Sequence, residues 1–69
     1  GPIATDLFLA SNPPELPQTK KIAASIPVGR FGEPEEIAHV VRMFLDRKAG
    51  FLTGQLLYVC GGMTVGLTA

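Results

Sequence analysis

The sequence has few of the residues that small proteins use as staples or anchors. Its 69 residues include one cysteine, Cys60, and no tryptophan, so an internal disulfide and a cysteine-based metal site are both excluded. Because nothing marks an oxidising compartment, we expect a cytoplasmic protein. The longest apolar runs, residues 7–10 and 56–60, fall far short of the roughly 20 residues that span a bilayer.

An excess of charge of one sign is also missing. Six Lys and Arg residues balance six Asp and Glu residues, so no cluster of cations is available to bind nucleic-acid phosphates or anionic lipids. We therefore predict neither nucleic acid nor membrane as a partner. The hydrophobic content of 46% is too high for a disordered tail. A chain this short without a staple usually needs efficient helix packing or a partner to be stable.

Prolines and glycines divide the first half of the chain. Four of its six prolines lie within residues 1–17, around a short apolar patch at 7–9, and this predicts a loop with one helical turn. Residues 18–33 predict a short helix over 18–25 followed by a connector, because Pro27 disfavours helical geometry at Ile26.

A long amphipathic helix is predicted over residues 34–48. Pro34 suits the first helical position, and Gly50 suits a left-handed residue that closes the helix. His39 lies on the polar side without partners for a metal, so we predict no metal site. One apolar stripe has the spacing of a helix face: Ile37, Val40, Val41, Phe44 and Leu45.

A single strand is predicted over residues 55–59, and residues 60–69 form a tail. The run from Leu56 to Val59 is continuously apolar, which is typical of a strand covered on both faces. A strand must pair its backbone groups, and the sequence offers no second strand of comparable quality. We therefore expect its neighbours to lie outside this chain, which would be the C-terminal piece of a larger α/β domain.

Four motifs, in order, resemble the C-terminal third of the short-chain dehydrogenase/reductase family. The resemblance covers essentially the whole chain and implies part of a single-domain Rossmann fold, with a parallel sheet covered by helices on both faces. It also implies an NAD(P)-dependent oxidoreductase that interconverts an alcohol and a carbonyl, acting as a homo-dimer or homo-tetramer. The motifs are GPIAT (1–5), IPVGRFGEPEEIA (26–38), FLTGQ (51–55) and YVCGG (58–62).

The family's glycine-rich cofactor turn and its catalytic serine, tyrosine and lysine precede the part that this chain resembles. Tyr58 has Gly62 where the catalytic lysine would follow, so a structural role in the buried strand is favoured for it. We predict no catalytic residue here and an inactive isolated chain. The competing hypothesis is a non-enzymatic module that binds a partner through its apolar helix face and its strand.

The resemblance assigns residues 1–17 to a nicotinamide loop and a substrate lid. The backbone at Ile3 and the hydroxyl of Thr5 would bind the nicotinamide carboxamide, although Thr5 and Asp6 would equally suit a simple helix cap. Two origins fit Gly1-Pro2, native sequence and the scar of a tag-removing protease, and the family match favours the first. The lid would contain three apolar residues, for which a place in the core under a loop is the alternative: Leu7, Phe8 and Leu9.

Two further residues stand out beside these motifs. Arg30 lies between two glycines, and an ion pair with Glu33 or Glu36 is favoured over substrate binding. Cys60 stands where the family often has an acidic or amide residue, and a small buried thiol is the favoured role.

Overall fold

The computed structural model describes residues 1–65 of the chain. Within that range the chain is helical, and no helix is long and apolar enough to cross a bilayer. The elements in order are α1 (Asp6–Ser11), α2 (Pro17–Ser25), α3 (Pro34–Leu45) and two short 3-10 turns, Arg47–Ala49 and Met63–Val65.

Helix α1 lies inside the stretch predicted as a loop with one helical turn. Thr5 caps the start of the helix, because its hydroxyl oxygen accepts a hydrogen bond of 3.1 Å from the Phe8 N–H. Asp6 places negative charge at the positive end of the helix dipole. It ends at Asn12, whose backbone N–H donates to the Phe8 carbonyl at 2.9 Å. The cap by Thr5 shows that the capping alternative for this residue is realised in the structure.

Helix α2 ends at Ser25, as predicted, because Ile26 adopts an extended conformation before Pro27. It begins one residue earlier than predicted, with Pro17 at its first turn. Thr19 and Ile26, with 1% and 2% of their surfaces exposed, are the buried residues of the described range. Such a small interior is far less than an independent domain requires.

Helix α3 starts as predicted at Pro34, and a capping box completes its first turn. The Glu33 N–H donates to the Glu36 carboxylate at 2.8 Å, while the Glu33 side chain accepts from the backbone of Glu36. The backbone N–H groups of Glu33 and Glu36, which lack partners inside the helix, are thereby hydrogen-bonded.

The predicted end of this helix at residue 48 is wrong. The helix ends at Leu45 because Asp46 is extended, and the Asp46 carboxylate accepts a hydrogen bond of 2.8 Å from the Lys48 N–H. That contact caps the separate 3-10 turn. Gly50 has a right-handed conformation with φ of −62°, so the left-handed closing residue predicted there is also wrong.

The strand predicted over residues 55–59 is not formed within residues 1–65. These residues have no ladder partner there, and an unpaired strand leaves its backbone groups without hydrogen bonds. Tyr58, expected in a buried strand, is 65% exposed. Residues 66–69 of the predicted tail lie outside the described residues.

Candidate functional site

The loop before α1 is attached to the connector by one parallel bridge between Ile3 and Gly32. The Gly32 N–H donates to the Pro2 carbonyl at 3.1 Å, and the Ala4 N–H donates to the Gly32 carbonyl at 2.8 Å. In trans peptides the C=O and the following N–H point in opposite directions, so the N–H and C=O of Ile3 face away from Gly32. One edge of the loop is therefore hydrogen-bonded to Gly32, and the N–H and C=O of Ile3 lie on the opposite edge.

Two residues of the loop, Ile3 and Thr5, keep a hydrogen-bond donor available. The Ile3 N–H makes no hydrogen bond to another residue of the described range, whereas the Ile3 carbonyl accepts one of 2.7 Å from the Thr5 N–H. The Thr5 hydroxyl accepts from Phe8 but keeps its O–H and a second lone pair. The two residues predicted to bind the cofactor therefore lie side by side with free polar groups.

Three segments of the chain meet behind this loop. The Val28 N–H donates to the Gly61 carbonyl at 3.1 Å, and a Cβ placed on Gly1 would lie 3.1 Å from the Cα of Cys60. The cleft between the segments measures about 70 Å³, which is the space of a few water molecules. A dinucleotide cannot enter a cleft of this size.

An ion pair fixes the connector on α3. Nη1 and Nη2 of Arg30 lie 2.8 and 3.0 Å from the two carboxylate oxygens of Glu36, and Nη1 also donates to the Phe31 carbonyl at 3.0 Å. The hydrogen bond from Arg30, followed by that from the Glu33 N–H, lowers the pKa of Glu36 to about 2, and Glu36 raises the pKa of Arg30. The predicted ion pair of Arg30 with Glu33 or Glu36 is confirmed, with Glu36 as the partner.

The three residues predicted to form the lid differ in their burial and contacts. Phe8 is half-buried and its ring meets that of Phe31 edge to face, with centroids 5.0 Å apart and an interplanar angle of 66°. Leu9 is half-buried, whereas Leu7 is 83% exposed. Phe8 therefore packs against the connector, and Leu7 is available to a ligand or another surface.

The Cys60 thiol is partly accessible, so the expectation of a buried thiol is wrong for the described range. Its sulfur lies 3.7 Å from Oγ1 of Thr64. Hydrogen bonds from the backbone and then the side chain of Thr64 lower the pKa of Cys60. No group of three His, Cys, Asp or Glu side chains within residues 1–65 could hold a metal ion.

Two residues of this site, Phe31 and Gly32, were not identified as part of it from the sequence. The glycines around Arg30 indicated a tight bend, but no local pattern shows that Gly32 pairs with a residue 29 positions earlier. A contact of this kind is fixed by tertiary packing.

Comparison with known proteins agrees with the motifs. The family described as "Enoyl-(Acyl carrier protein) reductase" matches residues 1–64. Acetoacetyl-CoA reductase of Shinella zoogloeoides is 42% identical over 62 residues, which cover 90% of this chain and 25% of that protein. The 3-oxoacyl-[acyl-carrier-protein] reductase FabG of Aquifex aeolicus is 46% identical over 44 residues, 64% of this chain and 18% of that protein.

A third relative is subunit BbsD of (2S)-[(R)-hydroxy(phenyl)methyl]succinyl-CoA dehydrogenase from Thauera aromatica. It is 42% identical over 53 residues, 74% of this chain and 21% of that protein. No solved structure matches the chain. The chain thus spans about a fifth to a quarter of the length of these curated relatives. With a family match over nearly its whole length, this chain belongs to the short-chain dehydrogenase/reductase family.

Proposed function

We propose that this chain is part of an NAD(P)-dependent oxidoreductase that interconverts an alcohol and a ketone or aldehyde, and that residues 1–5 hold the nicotinamide. One observation carries the proposal: the bridge between Ile3 and Gly32 fixes one edge of the loop and leaves the Ile3 N–H on the other, two residues before the Thr5 hydroxyl, which keeps its O–H as a donor. The carboxamide oxygen has two lone pairs, so it can accept hydrogen bonds from both the Ile3 N–H and the Thr5 O–H.

The loop would set the rotation of the nicotinamide ring. The Ile3 N–H would donate to the carboxamide oxygen, and the Thr5 hydroxyl would form a second hydrogen bond near it. Two such bonds decide which ring face is presented to the substrate. Because Pro2 and Ala4 are already bonded to Gly32, the loop would need little rearrangement on binding. When bound, NAD(P) supplies or accepts the hydride.

The apolar residues 7–9 would form part of a lid over the substrate. Such a lid excludes water before hydride moves, and the exposed side chain of Leu7 is suited to an apolar acyl chain. The relatives named above include reductases of acetoacetyl-CoA and of 3-oxoacyl groups on acyl carrier protein. We therefore propose a 3-oxoacyl thioester, or a closely similar carbonyl compound, as substrate.

The catalytic acid and base would come from residues outside this chain, in a Rossmann domain that also covers its apolar face. We define the apolar face as the exposed groove between α3 and the segment that follows it. Without those catalytic residues the isolated chain would be inactive. It would also be poorly folded, because this face is exposed and only Ile26 among apolar residues is buried within 1–65. The face is lined by Met43, Phe44, Leu52, Gln55, Leu56 and Leu57.

The experiment uses the full-length protein that carries this segment, with NADPH or NADH and acetoacetyl-CoA as probes. We expect cofactor oxidation that depends on acetoacetyl-CoA. Thr5→Ser should keep both the helix cap and the donor, whereas Thr5→Asp should keep the cap and lose the donor. The Asp variant should therefore bind NADPH more weakly at unchanged folding stability. Cofactor affinity equal to wild type in Thr5→Asp would remove Thr5 from the site.

A second measurement addresses the alternative of a non-enzymatic interaction module. The isolated 69-residue chain is purified and studied by circular dichroism and sedimentation. A severed part of a domain should be aggregated or largely unfolded, because its apolar face has no cover. A discrete, cooperatively unfolding species would instead support the module.

A further inference from the structure

We propose that Phe31 is a positioning residue that ties the substrate lid to the nicotinamide loop through its ring contact with Phe8. This inference rests on the function proposed above. It assigns a role to a residue that lies outside both the nicotinamide loop and the lid.

The first step is the contact itself. The rings of Phe8 and Phe31 meet edge to face with centroids 5.0 Å apart, a geometry in which the positive edge of one ring meets the negative face of the other. Both side chains are half-buried. This contact therefore joins α1 to the connector between α2 and α3.

The second step is the position of Phe31 in the chain, directly before Gly32. Gly32 bonds to the carbonyl of Pro2 and to the N–H of Ala4, so the backbone that carries the Phe31 ring is held in register with Ile3. A Cβ on Gly32 would lie 2.9 Å from Cδ1 of Ile3, which shows how closely the connector approaches the loop. The Phe31 ring is thus fixed relative to the residue proposed to bind the carboxamide.

The third step is the direct connection between the lid and the loop at Thr5. Thr5 accepts the Phe8 N–H on its hydroxyl at 3.1 Å and the Leu9 N–H on its carbonyl at 2.9 Å. Helix α1 therefore starts directly from the loop, so a change in its direction relative to the loop would be a rotation about Thr5. Such a rotation would separate the rings of Phe8 and Phe31.

Helix α3 holds the connector, and with it Phe31, in place. The Arg30 guanidinium bonds to the Phe31 carbonyl and to the Glu36 carboxylate, and Glu36 belongs to the capped first turn of that helix. The connector is consequently a fixed reference against which the lid is placed. Loss of the Phe31 ring should displace the lid and leave the loop, which keeps its own hydrogen bonds to Gly32.

The test is a double-mutant cycle in the full-length protein with Phe31→Leu, Phe8→Leu and the double variant. An aromatic pair of this kind contributes an effect equivalent to about 2- to 10-fold in an equilibrium constant. We expect each single variant to raise KM for acetoacetyl-CoA by about that factor and to change the Kd for NADPH by less than about twofold. The double variant should be no worse than either single one, because both remove the same contact.

Phe51→Leu is the matched control, because it makes the same change at a ring that is fully exposed within residues 1–65 and lies apart from the contact between Phe8 and Phe31. A second readout is proteolysis within residues 7–17 in the presence of NADPH, which should be faster in Phe31→Leu and unchanged in Phe51→Leu. Additive effects in the double variant, an unchanged KM, or a loss of thermal stability without a change in KM would overturn the inference. A wild-type protein that neither binds NADPH nor reduces acetoacetyl-CoA would instead overturn the proposed function, and this inference with it.

Discussion

Arg30 and Glu36 form a two-bond ion pair, with nitrogen-to-oxygen distances of 2.8 and 3.0 Å, across the turn that leads into α3. The same carboxylate also accepts the Glu33 N–H at the start of that helix. One side chain thereby completes a helix cap and anchors the connector. Because the pair is exposed, with 58% and 45% of the two side chains accessible, solvent and salt weaken it.

The first prediction concerns acid stability. The pKa of Glu36 is lowered to about 2 in the folded chain, from an ordinary value of 4.5. A carboxyl group with a lowered pKa stabilises the folded state above its unfolded pKa, and this contribution is lost as the pH falls from about 4.5 to about 2. We expect thermal unfolding of the full-length protein to depend less on pH in this window after Glu36→Gln than before it.

Two controls accompany this measurement. Glu35→Gln removes a neighbouring carboxylate from the same helical turn without removing the ion pair, so it should leave more of the pH dependence in place. Added salt should reduce the difference between wild type and Glu36→Gln. An equal pH profile for wild type and Glu36→Gln would show that the ion pair contributes nothing to folding.

The second prediction concerns two glycines with similar backbone conformations and different surroundings. Gly61 and Gly54 have φ of 65° and 67°, a left-handed region that costs other residues roughly 1–2 kcal/mol. A Cβ on Gly61 would lie 2.7 Å from Cγ2 of Ile26, whereas a Cβ on Gly54 would meet nothing within 4 Å. Gly61→Ala should therefore reduce the free energy of unfolding by more than Gly54→Ala.

The difference in the free energy of unfolding between these two variants measures the steric clash alone, because the left-handed backbone destabilises both alanine variants to a similar extent. Urea unfolding of the two full-length variants provides the comparison. A larger loss in Gly54→Ala would mean that the contact of Gly61 with Ile26 does not constrain the fold.

Local chemistry explains which elements could be predicted from the sequence. Pro34 and the apolar stripe were sufficient to place α3, and Pro27 was sufficient to place the end of α2. The end of α3 differs from the prediction because basic residues such as Lys48 suit the last turn of a helix equally well. Asp46 followed by two basic residues is also the pattern of a new capped turn, and the structure adopts that arrangement.

The site was harder to predict for a physical reason. Ile3 and Thr5 were identified through a family resemblance, which says nothing about what holds them in place. Their support comes from Gly32, which pairs with Ile3, and from Phe31, whose ring contacts Phe8 of α1; both are far away in sequence and reach these partners only after folding. Hydrophobic periodicity reports on one element at a time and does not contain such pairings.

The third prediction concerns Thr19, which is 1% exposed. Its hydroxyl oxygen has no hydrogen-bond partner among the described residues, and an unsatisfied buried hydroxyl costs about 1–3 kcal/mol. Thr19→Val keeps the shape and removes the polar atom, so it should raise the free energy of unfolding by about 1 kcal/mol. Thr53→Val, at an exposed threonine, should change stability by less than about 0.5 kcal/mol.

Urea or thermal unfolding of the full-length variants is the measurement for this pair. Destabilisation by Thr19→Val would show that the hydroxyl has a partner in the complete protein, and would identify Thr19 as a polar contact between this segment and the remainder of the domain.

The fourth prediction concerns the reactivity of Cys60. Hydrogen bonds from Thr64 lower the pKa of this thiol, and the thiolate is the form that reacts with alkylating agents. Thr64→Val removes the hydroxyl, 3.7 Å from the sulfur, and keeps the backbone N–H. The pH at which Cys60 reaches half its maximal rate with iodoacetamide should therefore rise. The rise should be only part of the way back to the ordinary pKa of a thiol, because the hydrogen bond from the Thr64 backbone N–H remains. Mass spectrometry of the Cys60 peptide follows the reaction, with Thr53→Val as the control, and identical profiles for wild type and Thr64→Val would show that the hydroxyl does not act on the thiolate.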